Sequence, residues 1–288
     1  MMSMVTATLA AILSLAGIGL AAALALGLAA RRFAVEVDPR EEAILEVLSG
    51  ANCGACGYPG CGAFARAVVA GEVEPHLCPA SGAGAVVKIA HIMGVEAKVR
   101  DPEIAVVLCQ GDNQQARLKY RYLGLADCNA AQKVADGPKQ CAGGCLGLGS
   151  CERACPFGAI EMTAEGLAVI DREKCTGCRK CVAVCPRQVI AMTPKQATVH
   201  VLCNSRDKGA LVRKNCKVGC IACRICLKTV PEAYRVEENL ASVIYEYHRE
   251  AEAAVSKCPT KCIRDFRTGY PGGSSLNVDL EDSDEHVA

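Results

Sequence analysis

Cys175-Thr-Gly-Cys178-Arg-Lys-Cys181-Val-Ala-Val-Cys185-Pro186 is the stretch that decides what this chain is built around. Two-residue gaps wrap a tight loop that sets three thiolates on three corners of one [4Fe–4S] cube. The proline ends the loop and turns the fourth cysteine toward a neighbouring cube. An all-cysteine zinc site is built instead from two separated Cys-x2-Cys pairs. A related run with widened gaps, Cys141-x3-Cys145-x5-Cys151-x3-Cys155-Pro156, lies upstream. A two-cluster ferredoxin exchanges its fourth ligands between cubes. The expected sets are therefore Cys141, Cys145, Cys151 and Cys185 for one cube, and Cys155, Cys175, Cys178 and Cys181 for the other. Gly147 and Gly149 let the backbone approach the sulfides and donate N–H bonds that tune potential.

The run is repeated. Cys128, Lys133, Cys141, Gly144, Cys145, Cys151 and Pro156 recur at a constant offset of 75 as Cys203, Lys208, Cys216, Gly219, Cys220, Cys226 and Pro231. This is the mark of a duplicated module. The second copy reads Cys216-x3-Cys220-x2-Cys223-x2-Cys226-x3-Val230-Pro231, with valine where the fourth cysteine belongs. Aligning Cys258-Pro259 with Cys185-Pro186 puts His248, Ala251 and Ala254 where the partner run's cysteines would stand. One cube's ligands are lost together, and the complementary set Cys220, Cys223, Cys226 and Cys258 is kept. Cys216 is an alternative to Cys223 in that set. Nearer the amino terminus, Cys53-Gly-Ala-Cys56-Gly-Tyr-Pro-Gly-Cys61 with Cys78-Pro79 reads as another [4Fe–4S] site, and zinc is the competing reading from spacing alone. Cys109, Cys128, Cys203 and Cys262 are left over, either as buried thiols packing like small hydrophobes or as ligands of a further cluster.

Composition agrees. Twenty-one cysteines in 288 residues is an odd number and far above ordinary usage, in a chain much longer than a disulfide scaffold. A net charge of +1, from 32 basic and 31 acidic residues, and the absence of tryptophan give no case for nucleic-acid binding. No charged residue appears from Val5 to Ala30, and Arg31-Arg32 closes the run. That is long enough for a transmembrane helix. The arginines follow rather than precede the apolar run, which predicts a single-pass anchor with the body in the cytoplasm. A reducing cytoplasm keeps thiols free for metal.

The expected fold class is α+β: a single N-terminal transmembrane helix, a small Fe–S domain and two ferredoxin-like, βαβ-type duplicated modules. The expected boundaries are an anchor over 1–32, an N-terminal [4Fe–4S] domain over 33–95 and a connecting segment over 96–137. A two-cluster ferredoxin domain over 138–196, a degenerate second module over 197–270 and an acidic disordered tail over 271–288 follow. Asp38 caps a helix from Pro39 to Leu48, a second helix spans Phe64 to Ala70, another ends near Gly94, and Ala105 to Leu108 is a buried strand. No phosphate loop, dinucleotide fingerprint or nucleophile elbow is present, so no catalytic residue is assigned. The chain reads as a carrier of electrons.

The order of parts resembles the B subunit of the Rnf complex, the membrane ferredoxin:NAD+ oxidoreductase that pumps Na+ or H+. The resemblance rests on the anchor, Cys53-Gly-x-Cys56-Gly-x-x-Gly-Cys61 with Cys78, Tyr122-x-Gly124-x-x-Asp127-Cys128, Cys145-Leu-Gly-Leu-Gly-Ser-Cys151-x3-Cys155-Pro-Phe-Gly-Ala-Ile160, and the run to Pro186. It implies a translocase component in a bacterial inner membrane that takes electrons from soluble ferredoxin and hands them to other membrane subunits. Partners would be those subunits, ferredoxin and membrane lipid. Arg153, Lys174, Arg179 and Lys180 would then dock an acidic ferredoxin. The alternatives are an iron–sulfur subunit of another membrane reductase, or a membrane-bound redox sensor or assembly factor.

Overall fold

A computed structural model describes residues 2–33 and 38–269; the acidic tail expected over 271–288 lies outside the described residues. The amino terminus is one helix, α1 (Met2–Arg32), ending on Arg31 and Arg32. Its leucines and isoleucines from residue 12 onward face outward, and this segment has a mean hydropathy of 2.3. At about 1.5 Å per residue it is long enough to cross a bilayer, and an apolar surface on all sides suits lipid rather than water.

Three helices form the next unit: α2 (Pro39–Val47), α3 (Cys61–Val69) and α4 (Gly82–Met93). The Asp38 carboxylate accepts the Arg40 amide at 2.8 Å, with proline at the first helical position. α4 stops at Gly94, whose φ of 66° is the left-handed cap that glycine supplies without strain. Ile44, Phe64, Val68 and Ile89 make the core of this unit, and Cys78 belongs to it.

The rest of the chain runs β1 (Glu103–Val107), α5 (Cys128–Lys133), α6 (Ser150–Ala154), β2 (Ile160–Met162), β3 (Ala168–Ile170), α7 (Lys180–Val184), β4 (Ile190–Pro194), β5 (Val199–Val201), α8 (Gly209–Asn215), α9 (Ile225–Thr229), β6 (Tyr234–Glu237), β7 (Leu240–Val243) and β8 (Ile263–Asp265). Pairing is nested twice over. β1 pairs with β4 outside the β2–β3 hairpin, and β5 pairs with β8 outside the β6–β7 hairpin. Every ladder is antiparallel, from Val107 opposite Ile190 to Val201 opposite Ile263. Each inner hairpin folds back within a few residues, and the outer pair of strands closes around it. β1 draws the segment expected as a connector into the first module. The fold is mixed helix and strand, with one apolar N-terminal helix ahead of ferredoxin-type units.

The strands sort the core. Ala105, Val107, Ile160, Ile170 and Ile190 pack with Cys145, Cys151 and Cys181 in the first module. Val199, Val201, Tyr234 and Ile263 pack with Cys203, Cys220 and Cys226 in the second. Cysteines thus line the interior faces of small sheets, where water is excluded.

Candidate metal centres

In the first module two short helices do the positioning. α6 carries Cys151 and is capped at its end by Cys155; α7 carries Cys181 and is capped by Cys185. Four residues exceed one helical turn slightly, so each helix offers one thiol at its start and another where the chain leaves in extended conformation. Cys178 and Cys181 lie within electrostatic reach of Cys175 and Cys155. The Ala105 amide points at Cys175 Sγ and the Ala159 amide at Cys155 Sγ, each at 3.4 Å. Gly177, in the loop between Cys175 and Cys178, has φ +73°, and a side chain there would come within 2.6 Å of the Glu103 carbonyl. Only glycine closes this loop against β1.

The other hollow of this module differs from expectation. Cys145, Cys151 and Cys185 line it together with Cys128, not Cys141. α5 brings Cys128 there. Asp127 caps α5 through the Ala130 amide at 2.8 Å and accepts the Ser150 hydroxyl at 2.8 Å, and that hydroxyl takes the Cys128 amide at 2.7 Å. The cap thus fastens α5 to the first residue of α6. Cys141 stands at a separate hollow with Cys109, Cys203 and Cys216. Sequence spacing placed Cys141 in line because it precedes Cys145 by four residues. The constant offset of 75 pairs Cys128 with Cys203 in sequence, but the two line different hollows.

In the second module, Cys220, Cys223, Cys226, Cys258 and Cys262 line a hollow together. Cys262 Sγ is 3.6 Å from Cys258 Sγ. A hydrogen bond shared with Cys262 lowers both Cys220 and Cys258. Around the positions where the sequence reading found ligands missing, the protein is packed with hydrocarbon. Val230, Ala233, Ala251 and Ala254 are buried around Tyr234. Tyr234 lies at the repeat position of Ala159. A buried ring stands here in place of a methyl.

In the N-terminal unit Cys78 lies within reach of Cys53 and Cys56. Asn52 Oδ1 accepts the Cys61 amide at 2.8 Å, fixing the start of α3 at that cysteine. Cys53 also reaches Cys178 of the next site, and Cys178 packs into the core of this unit.

The donor chemistry fits iron–sulfur cubes. Thiols stand around enclosed, apolar hollows with backbone N–H groups aimed at sulfur, the hydrogen bonds that set cluster potentials. Burial pushes Cys151 and Cys181 up to about 12, with neighbouring cysteines adding to the effect. Such thiols ionise only when a metal supplies the positive charge. Among the described residues no three His, Cys, Asp or Glu side chains converge tightly enough to share one ion. Cube ligands, each on its own iron, stand further apart than the ligands of one zinc.

Comparison with known proteins agrees with this chemistry. A family model for a putative Fe–S cluster matches residues 48–80, a 4Fe-4S binding domain matches 167–190, and a 4Fe-4S single cluster domain of ferredoxin I matches 217–265. The chain holds multiple [4Fe–4S] sites, and the single-cluster match falls on the module with one hollow. The B subunit of the Na(+)-translocating ferredoxin:NAD(+) oxidoreductase complex of Acetobacterium woodii is 40% identical over 246 residues, 85% of this chain and 74% of that protein. The B subunit of the proton-translocating complex of Clostridium ljungdahlii is 43% identical over 256 residues, 88% and 90% of the two chains. The B subunit of an ion-translocating oxidoreductase complex from Methanosarcina acetivorans is 39% identical over 250 residues, covering 86% and 95%. With cysteine sites of this kind and relatives matched along most of its length, the chain belongs to the family of B subunits of ion-translocating (Rnf-type) oxidoreductase complexes.

Proposed function

We propose that this chain is the membrane-anchored electron-carrying subunit of an ion-translocating ferredoxin:NAD+ oxidoreductase. It receives electrons from reduced ferredoxin and delivers them toward NAD+ through other subunits, coupled to Na+ or H+ movement. Relatives of nearly equal identity are named for one ion or the other, so the ion is left general. The observation that carries the reading is adjacency. Cys53 reaches Cys178, and α6 and α7 each give thiols to two neighbouring sites.

The ligand sets we assign are Cys53, Cys56, Cys61 and Cys78; Cys155, Cys175, Cys178 and Cys181; Cys128, Cys145, Cys151 and Cys185; and Cys220, Cys223, Cys226 and Cys258. The nested strand pairs support reading the last two units as a duplicated module. A cube so held takes up and returns one electron at a potential set by hydrogen bonds, charge and burial. The chain supplies those settings. The amides of Gly147 and Ala168 donate to Cys145, and the sheets exclude water. Arg153, Lys174, Arg179 and Lys180 offer positive charge for an acidic ferredoxin, with Arg179 lying over the Cys178 loop and paired with Glu103 at 2.7 Å. We read α1 as a single pass through the inner membrane of a bacterial cell, in contact with lipid, with Arg31 and Arg32 and the body on the cytoplasmic side.

Full-length chain prepared without oxygen should be brown, be reduced by ferredoxin, and copurify with multi-span subunits, since one helix forms no ion path. A preparation that ferredoxin leaves oxidised overturns the reading.

A further inference from the structure

Four cysteines remain that none of the three family models reaches and that the ligand sets above do not use: Cys109, Cys141, Cys203 and Cys216. They are far apart in sequence, yet they line one hollow. Its empty volume, mouth included, is about 420 Å3, against about 350 and 330 Å3 for the hollows at Cys128–Cys185 and Cys220–Cys258.

The four are two pairs of equivalents. Cys109 follows β1 and Cys203 follows β5, each after a leucine whose amide makes the same bond: Leu108 to the Val189 carbonyl, Leu202 to the Cys262 carbonyl, both at 2.7 Å. Cys141 and Cys216 each precede by four residues the first cysteine of the neighbouring hollow, Cys145 and Cys220. The hydrogen bonds repeat as well. Cys109 Sγ takes the amides of Gly111 at 3.3 Å and Cys145 at 3.4 Å. Cys203 Sγ takes those of Ser205 and Cys220. Each module thus offers the same two thiols, with the same amide donors, to a site lying between them.

The approach is close. Gly111 follows Cys109 by two residues, and a side chain there would come within 3.3 Å of Cys216 Sγ and 3.6 Å of Cys109 Sγ, so the backbone at Gly111 lies beside sulfurs from both modules. The buried Lys139 side chain donates to the Gly111 carbonyl at 2.7 Å and holds that backbone in place.

We propose that Cys109, Cys141, Cys203 and Cys216 hold a fifth [4Fe–4S] cluster at the junction of the two modules. Loading it displaces the four thiol protons as four iron–sulfur bonds form. Its neighbours are fixed by Cys145 and Cys220, whose amides bond its ligands while their thiols face the flanking hollows. If the electron-carrying reading holds, this site joins the carboxy-terminal hollow to the rest of the row.

The test is iron, acid-labile sulfide and zinc per full-length chain, purified in detergent without oxygen, with EPR after reduction. Five cubes give about twenty irons, and Cys141→Ala or Cys216→Ala should each bring this to about sixteen and remove one signal. Should the alanine variants not fold, Cys216→Ser retains an oxygen donor and should shift the g values of one signal alone. About sixteen irons in the unaltered chain, or one zinc that Cys216→Ser removes, overturns the site and leaves the electron-carrying reading intact. About twenty irons that ferredoxin does not reduce would sink that reading and leave the site.

Discussion

The Tyr234 hydroxyl donates a 2.7 Å hydrogen bond to the Ala251 carbonyl, tying the β6 hairpin to the short helical segment Glu250–Ala254. The ring occupies the interior and the hydroxyl satisfies the backbone it displaces. Tyr234→Phe removes this bond and should cost about 0.5–1.5 kcal/mol, and Tyr234→Ala about 3–5 kcal/mol through the cavity. Thermal melting of the full chain reads both. Iron content of Tyr234→Phe should equal that of the unaltered protein, because the ring replaces a site rather than supporting one.

Cys128 and Cys155 should separate the two sites of the first module. Cys128→Ala should lower iron by about four per chain and extinguish one EPR signal, and Cys155→Ala should extinguish a different one. Equal iron in Cys128→Ala and the unaltered chain would return the assignment to Cys141.

Reversing Arg179 and Lys180 together to glutamate should slow reduction by ferredoxin roughly three- to tenfold at low salt. The difference should close near 1 M salt, where screening falls to about 3 Å. The Arg179–Glu103 pair is exposed, so its loss should move stability by less than about 1 kcal/mol. A stopped-flow comparison at two ionic strengths, with melting as the control, checks both halves.

His200 sets a pH dependence. It is buried on β5, 3.1 Å from the Tyr245 hydroxyl and 3.1 Å from the Ala197 carbonyl, against the Phe266 ring. Arg172 and His248 face it as positive groups, with Asp265 opposing them. Burial, then Arg172, pulls it down to about 3 from 6.5. The unfolded chain therefore takes up a proton below pH 6.5 that the folded chain refuses. This stability is complete above pH 6.5 and is lost as pH falls toward 3, at up to about 1.4 kcal/mol per unit. His200→Gln should flatten that slope, read as the difference in melting between pH 7.5 and 5.5. Parallel slopes in the two proteins would contradict it.

The parts of this molecule written in consecutive residues were legible from them. The Asp38 cap, the apolar α1, the Gly94 stop and the Cys175–Cys185 loop depend on neighbours within a turn or two. The apolar packing at Val230, Ala251 and Ala254 accords with the sequence reading that no ligand stands there, a reading for which the repeat served as internal reference. The exchange of Cys141 for Cys128 was hidden. α5 reaches its hollow through the Asp127–Ser150–Cys128 network, which spans more than twenty residues, and spacing carries no information about such a contact. The meeting of Cys109 with Cys203 is harder still, since it depends on two strands lying in equivalent places in two modules. Nested antiparallel pairs were likewise invisible, because three-residue strands leave too short a pattern to show their partners.

Cys109 and Cys141 belong to the first module, but their companions arrive only with residues 203 and 216. During synthesis the wall of that hollow is still open when every cysteine up to Cys185 has already left the ribosome. Biogenesis is thereby given an order. The amino-terminal centres are able to mature on a nascent chain, whereas the junction waits for the last third of the polypeptide, and a product released early would carry a pair of unclaimed thiols beside a buried lysine.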